Sequence, residues 1–107
     1  MLLLNDEDEL PVAPEEEEQA LALELGAEGL NKIDEAIIGS STANWLKVAR
    51  VITDAIKAGG FPHSGTTVDL HARRVMEVVA SGALESRGDL RKPRFSEVRI
   101  PNVRSQH

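Results

Sequence analysis

Across residues 43–58 the apolar positions recur at the spacing of one helix face. Trp45, Val48, Ala49, Ile52, Ala55 and Ile56 share a stripe, while Lys47, Arg50, Asp54 and Lys57 fall outside it. Gly59-Gly60 ends this helix and Pro62 prevents its restart. A second stripe runs through residues 68–81 on Val68, Ala72, Val75 and Val79, widened by Met76 and Val78, with Arg73 and Arg74 pointing away from it. Thr66 is the expected cap, with Asp69 three residues on, and Gly82 is the expected stop. Residues 83–86 and 95–100 then read as the two strands of a hairpin, around a turn that includes Gly88-Asp89 and Pro93. Val98 and Ile100 alternate with Glu97 and Arg99, which predicts one buried face and one wet face.

Upstream the pattern is shorter. Residues 15–25 are helix-prone, with four glutamates in the first turn where the helix dipole favours negative charge. Gly26 and Gly29 are expected to end that helix. Residues 30–38 predict another, with Leu30, Ile33, Ile37 and Ile38 on its apolar side, stopped by Gly39 and followed by the capping residues Ser40, Ser41 and Thr42. Before all of this, dense like charge and the prolines Pro11 and Pro14 make residues 1–14 an extended or disordered arm. The expected division is an acidic arm and short extra helix at residues 1–28, then a domain at residues 29–107. The expected fold class is α+β. The helix, glycine stop and hairpin of residues 68–100 are the second half of a winged helix, so the expected architecture is a small winged-helix-like domain of three core helices followed by a C-terminal β-hairpin.

Composition sharpens this in two respects. At 107 residues the chain is long enough for one small core. The absence of cysteine excludes disulfides and thiolate metal sites. The net charge of −6 conceals an asymmetry: residues 1–44 hold 12 acids and a single base, Lys32, whereas residues 45–107 hold 11 bases and 6 acids. An acidic tail on a small domain is reason enough for such a split, since it keeps the domain soluble. The basic half is nonetheless the part predicted to fold as helix and wing. Residues 2–4 form the only apolar run at the N-terminus, far shorter than a signal-peptide core or a membrane span, which points to a cytoplasmic protein.

Two stretches carry a resemblance. Trp45-Leu46-Lys47-Val48-Ala49-Arg50-Val51-Ile52 is one, and Arg74-Val75, Gly82-Ala83-Leu84-Glu85, Gly88-Asp89-Leu90 and Arg94-Phe95-Ser96-Glu97-Val98-Arg99 make up the other. Together, over roughly residues 30–101, they resemble a widespread bacterial domain family of uncharacterised function. In that family a tryptophan-led helix is followed by an arginine-bearing helix and a terminal hairpin. The resemblance implies a winged-helix-like C-terminal region and brings no catalytic residue or ligand with it. Members of the family often occupy the C-terminal end of a longer chain.

The candidate chemistry is sparse. Gly60 to Thr67, GFPHSGTT, comes within one residue of a phosphate-binding loop, but Thr66 stands where the lysine belongs and a helix precedes it instead of a strand. It reads as an interhelix loop. His63, His71 and His107 lack the spacing and companions of a zinc site, so no metal or other cofactor is expected. Ser64 beside His63 has no orienting third group, so the chain is not expected to be an enzyme. Arg87-Gly88-Asp89 is what a hairpin tip asks for. Trp45 sits on the core stripe and reads as packing.

The basic cluster has most functional leverage. Arg73 and Arg74 lie on the outer face of the candidate recognition helix, and Arg91, Lys92 and Arg94 on the wing, with Arg87, Arg99 and Arg104 nearby. Those two elements approach the groove and flanking phosphates of DNA in winged helices. The expectation is a non-enzymatic DNA-binding or regulatory module that contacts double-stranded DNA through Arg73, Arg74, Arg91, Lys92 and Arg94. The alternative is a protein-interaction adaptor using the same surface, since solvated arginines suit a protein-binding wing equally well. The acidic arm is further expected to fold back on the wing as an intramolecular decoy. Residues 2–4 or the first helix are candidates for a homodimer interface.

Overall fold

A computed structural model describes residues 9–101 of the chain. The elements run in the order α1 (Glu16–Gly39), β1 (Leu46–Lys47), α2 (Val48–Gly59), α3 (Gly65–Ala80), β2 (Glu85–Gly88), a 3-10 turn (Pro93–Phe95) and β3 (Ser96–Arg99). The fold is a small α+β domain, three helices and a three-stranded antiparallel sheet in the order β1-β3-β2. No helix among the described residues is long and apolar enough to cross a membrane.

The core lies where the three helices meet the inner face of the sheet. Ile33 and Ile37 come from α1, Val48, Val51, Ile52 and Ala55 from α2, Val68, Ala72 and Val75 from α3, and Val98 from β3, each essentially without solvent exposure. Each of these isoleucines and valines contributes about 2 kcal/mol through removal of apolar surface from water. The stripes on α2 and α3 therefore face one another as their spacing predicts.

Several boundaries differ from the pattern-based expectation, each for a tertiary reason. The helices expected at residues 15–25 and 30–38 are two limbs of one run, α1, bent at Gly26, where φ is 68° and the backbone leaves the helical region. Gly29 does not interrupt it, and the helix resumes after the bend to lie along both α2 and α3. The division expected between residues 28 and 29 thus falls inside α1.

The helix expected from residue 43 begins only at Val48. Leu46 and Lys47 instead pair with Val98 and Glu97. An apolar pattern over 15 residues cannot anticipate a strand partner 50 positions away. The hairpin accordingly gains a third strand, and β2 and β3 start at Glu85 and Ser96, slightly later than the pattern suggests. Ile100 is exposed rather than buried, because β3 ends at Arg99 and the Ile100 N–H turns to Thr42 O at 2.7 Å.

Ser64, not Thr66, caps α3: its Oγ accepts from Thr67 N at 3.2 Å and lies 2.9 Å from Thr67 Oγ1. Gly88 closes β2 with φ 87°, and a Cβ there would stand 2.6 Å from Phe95 O. A close backbone approach across the sheet thus demands glycine.

The described part of the arm, from Glu9, packs on the domain. Leu10 is completely buried, and its N–H donates to Arg91 O at 2.8 Å. The arm is therefore part of the core here, because an apolar side chain interrupts its charge. The expected dimer contacts at residues 2–4 lie outside the described residues.

Candidate functional site

The five cations expected to form one surface are divided by the fold. Arg73 Nε donates to Glu18 Oε2 at 2.7 Å and Nη2 to Glu18 Oε1 at 3.2 Å, while Nη2 also reaches Pro11 O at 3.1 Å and Nη1 reaches Val12 O at 3.3 Å. Arg74 makes a two-pronged pair with Asp34, at 2.9 and 2.8 Å. The hydrogen bond to Asp34 holds the Arg74 guanidinium proton more tightly than usual. Both arginines therefore tie α3 to α1 and do not stand on an open face. Along α3 only Glu77 and Ala80 are exposed. A helix that reads the major groove needs several exposed side chains, and this one is covered by α1 and the arm.

Arg91 is also engaged. Its Nε donates to Leu10 O at 3.1 Å and its Nη1 lies 3.3 Å from Glu9. To that extent the arm does fold back on the connection between β2 and β3, through Glu9 and Leu10. Asp89 shapes the turn by accepting from Arg91 N at 3.0 Å.

The wet face of the sheet carries its own charge balance. Arg87 stands opposite Glu97 and Arg99 opposite Glu85, and each pair closes directly across the strands at 2.6 and 2.7 Å. Trp45 lies next to this ladder, with the guanidinium carbons of Arg87 and Arg99 at 4.3 and 4.5 Å from its ring centroid. Trp45 is thus half-buried under two arginines beside β1 and is not a core residue of α2, which corrects its placement on the helical stripe.

Lys92 and Arg94 remain exposed. Arg94 comes together with two cations the sequence reading had placed only as off-stripe positions of a helix, Lys47 and Arg50. Lys47 Nζ donates to Arg94 O at 3.2 Å. With Ala49 and Phe95 these three cations line an open groove of about 460 Å³. Phe95 is 53% exposed there, an aromatic face beside three positive charges. The first turn of α2 borders the groove, and its N-cap residue Lys47 makes no side-chain capping bond. The signal that would have found the cluster is the pairing of β1 with β3, which is long-range and invisible to periodicity.

Residues expected to be inert are placed as follows. The loop before α3 is an interhelix connection in which Ser64 serves as cap. His63 is exposed and His71 is in the core, so they share no site; His107 lies outside the described residues. No group of three potential metal ligands occurs among the described residues. Arg87-Gly88-Asp89 spans the end of β2 and the start of the turn.

Geometry therefore defines a small α+β domain with a basic, partly aromatic groove between the start of α2 and the 3-10 turn before β3. No family model, no curated protein and no solved structure matches this chain.

Proposed function

We propose that the chain is a non-enzymatic binding module of winged-helix-like architecture, acting in the cytoplasm as a protein-interaction adaptor. Its groove of Lys47, Arg50, Arg94 and Phe95 receives an acidic segment that carries an apolar residue. The observation behind this reading is that Glu77 and Ala80 are the exposed residues of α3, its arginines being tied to α1, while Lys47, Arg50 and Arg94 line a groove beside an exposed ring. The limb of α1 that covers α3 begins with Glu15, Glu16 and Glu17, all exposed, and these would repel a phosphate backbone. An acidic peptide is drawn by the cations and held by burial of its apolar residue on Phe95. The winged-helix reading itself rests on the order helix, strand, two helices, two strands, with the first strand pairing the last.

A second reading is duplex DNA bound through phosphates alone. It is favoured by the exposed Lys92 and Arg94 just before β3, with Arg94 close to Lys47 and Arg50. Base readout has no place in that mode, because α3 is covered.

The discriminating measurement is fluorescence anisotropy with two labelled probes, a glutamate-rich peptide containing one leucine and a mixed-sequence duplex, each titrated across salt. The adaptor reading expects the peptide to bind, and Lys47→Ala/Arg50→Ala/Arg94→Ala to abolish that binding without altering the fold. Duplex binding with a steep salt dependence and no peptide binding would replace the first reading by the second. Indifference of both probes to the triple substitution would remove the groove as the contact surface.

A further inference from the structure

α1, α2 and α3 surround a cavity of about 420 Å³, remote in sequence from the basic groove. Leu25, Ile33 and Ala36 of α1, Ala55 of α2, Phe61 of the interhelix loop and His71 of α3 form most of its wall. Glu28 and Lys32, both exposed and one turn apart, stand at its edge. The volume lies within the range of small-molecule pockets, and the lining is mixed, charged at the rim through Glu28 and Lys32 and apolar deeper in through Ile33 and Ala55.

The buried polar side chain of the lining is His71. It has no solvent exposure, and its Nδ1 lies 2.9 Å from Thr67 O. A carbonyl oxygen only accepts, so Nδ1 carries the proton and Nε2 is left as a bare acceptor. Burial pushes the imidazole below its ordinary range, so the ring stays neutral. Nε2 is buried and has no hydrogen-bond partner. Phe61 meets the ring edge-on, with centroids 5.4 Å apart and planes at 81°. A buried acceptor without a donor is penalised, and a phenylalanine or leucine would fill the same space without that penalty. The histidine therefore marks one point in an apolar wall where a donor is required.

We propose that this cavity binds a small neutral ring compound bearing one hydroxyl or N–H donor, of the phenol or indole class, with the donor on His71 Nε2 and the ring against Ile33, Ala55 and Phe61. The ligand enters by displacing the edge of the Phe61 ring. Anions are disfavoured, because a neutral acceptor offers them no proton and Glu28 offsets Lys32 at the rim. This site is independent of the groove proposed for a partner segment, and its occupancy is tested without that partner.

The experiment is a titration of the full chain, labelled with 15N-histidine, with phenol and separately with benzene, followed through the imidazole nitrogens. Phenol should move the His71 Nε2 resonance with a Kd on the order of 1 mM, the scale for so few heavy atoms. Benzene should bind about tenfold more weakly and leave Nε2 in place, since it lacks the donor. His71→Phe should erase the preference for phenol. In case that variant does not fold, Ala36→Leu fills the cavity from α1, leaves His71 intact and should abolish the phenol response. An Nε2 resonance unmoved by phenol, an undiminished response in Ala36→Leu, or a long-lived water on Nε2 that phenol does not displace would each overturn the proposal.

Discussion

Replacing Arg73 by alanine separates the structural from the binding role of α3. Arg73 is 20% exposed in its side chain and its partner Glu18 only 4%, so removing the guanidinium leaves a carboxylate buried without its counter-charge. Two charge-assisted bonds to Glu18 and two to the carbonyls of Pro11 and Val12 disappear together. Breaking a buried pair from one side costs about 3–5 kcal/mol, and the lower end applies because Arg73 keeps some contact with water. Against a total stability of about 5–15 kcal/mol, this is a large fraction.

Urea unfolding, followed through Trp45 fluorescence, should show the midpoint falling by about 3 M if the slope is near 1 kcal/mol/M. The companion variant Glu18→Leu/Arg73→Met removes both charges and fills the same space. It should lie within about 1.5 kcal/mol of the parent, since burial of a well-packed apolar pair offsets the lost ion pair. A single Arg73→Ala variant as stable as the parent would refute the assignment and return Arg73 to the list of solvent-facing cations.

Two further outcomes follow from buried groups. His71 has its folded-state pKa lowered by burial, so the unfolded chain binds the extra proton first, and stability should be complete above about pH 6.5 and decline as pH falls below it, at no more than about 1.4 kcal/mol per pH unit. Urea midpoints compared between the parent and His71→Gln should show that decline in the parent only; an equal decline in both would place its origin elsewhere. Leu10→Ala should cost about 2–5 kcal/mol, because Leu10 is fully buried, whereas Val12→Ala, at an 80% exposed position, should leave the unfolding midpoint unchanged. Equal effects of the two would mean that the arm does not dock through Leu10.

The helical core was legible in the chain because its determinants are local. Val48, Ile52 and Ala55 share one face of α2, and Val68, Ala72 and Val75 one face of α3, by spacing alone. The hairpin was equally local, since Gly88-Asp89 and the alternation around Val98 need only a turn and period two. Charge was legible as quantity and sign, including the contrast between the acidic and basic halves.

Where each charge goes was not legible, because its partner is chosen by contacts between distant segments. Arg73 meets Glu18 across 55 positions, Arg74 meets Asp34 across 40, and Arg91 meets Leu10 across 81. The same holds for Leu46 and Lys47, whose strand geometry comes from pairing with β3 and overrides the helical pattern around them. Sequence by itself thus determined the α+β class, the core stripes and the supply of cations. Tertiary structure alone decided which cations meet buried or cross-strand acids and which line an open groove, because charges far apart in sequence interact only when folding brings them within a few ångströms.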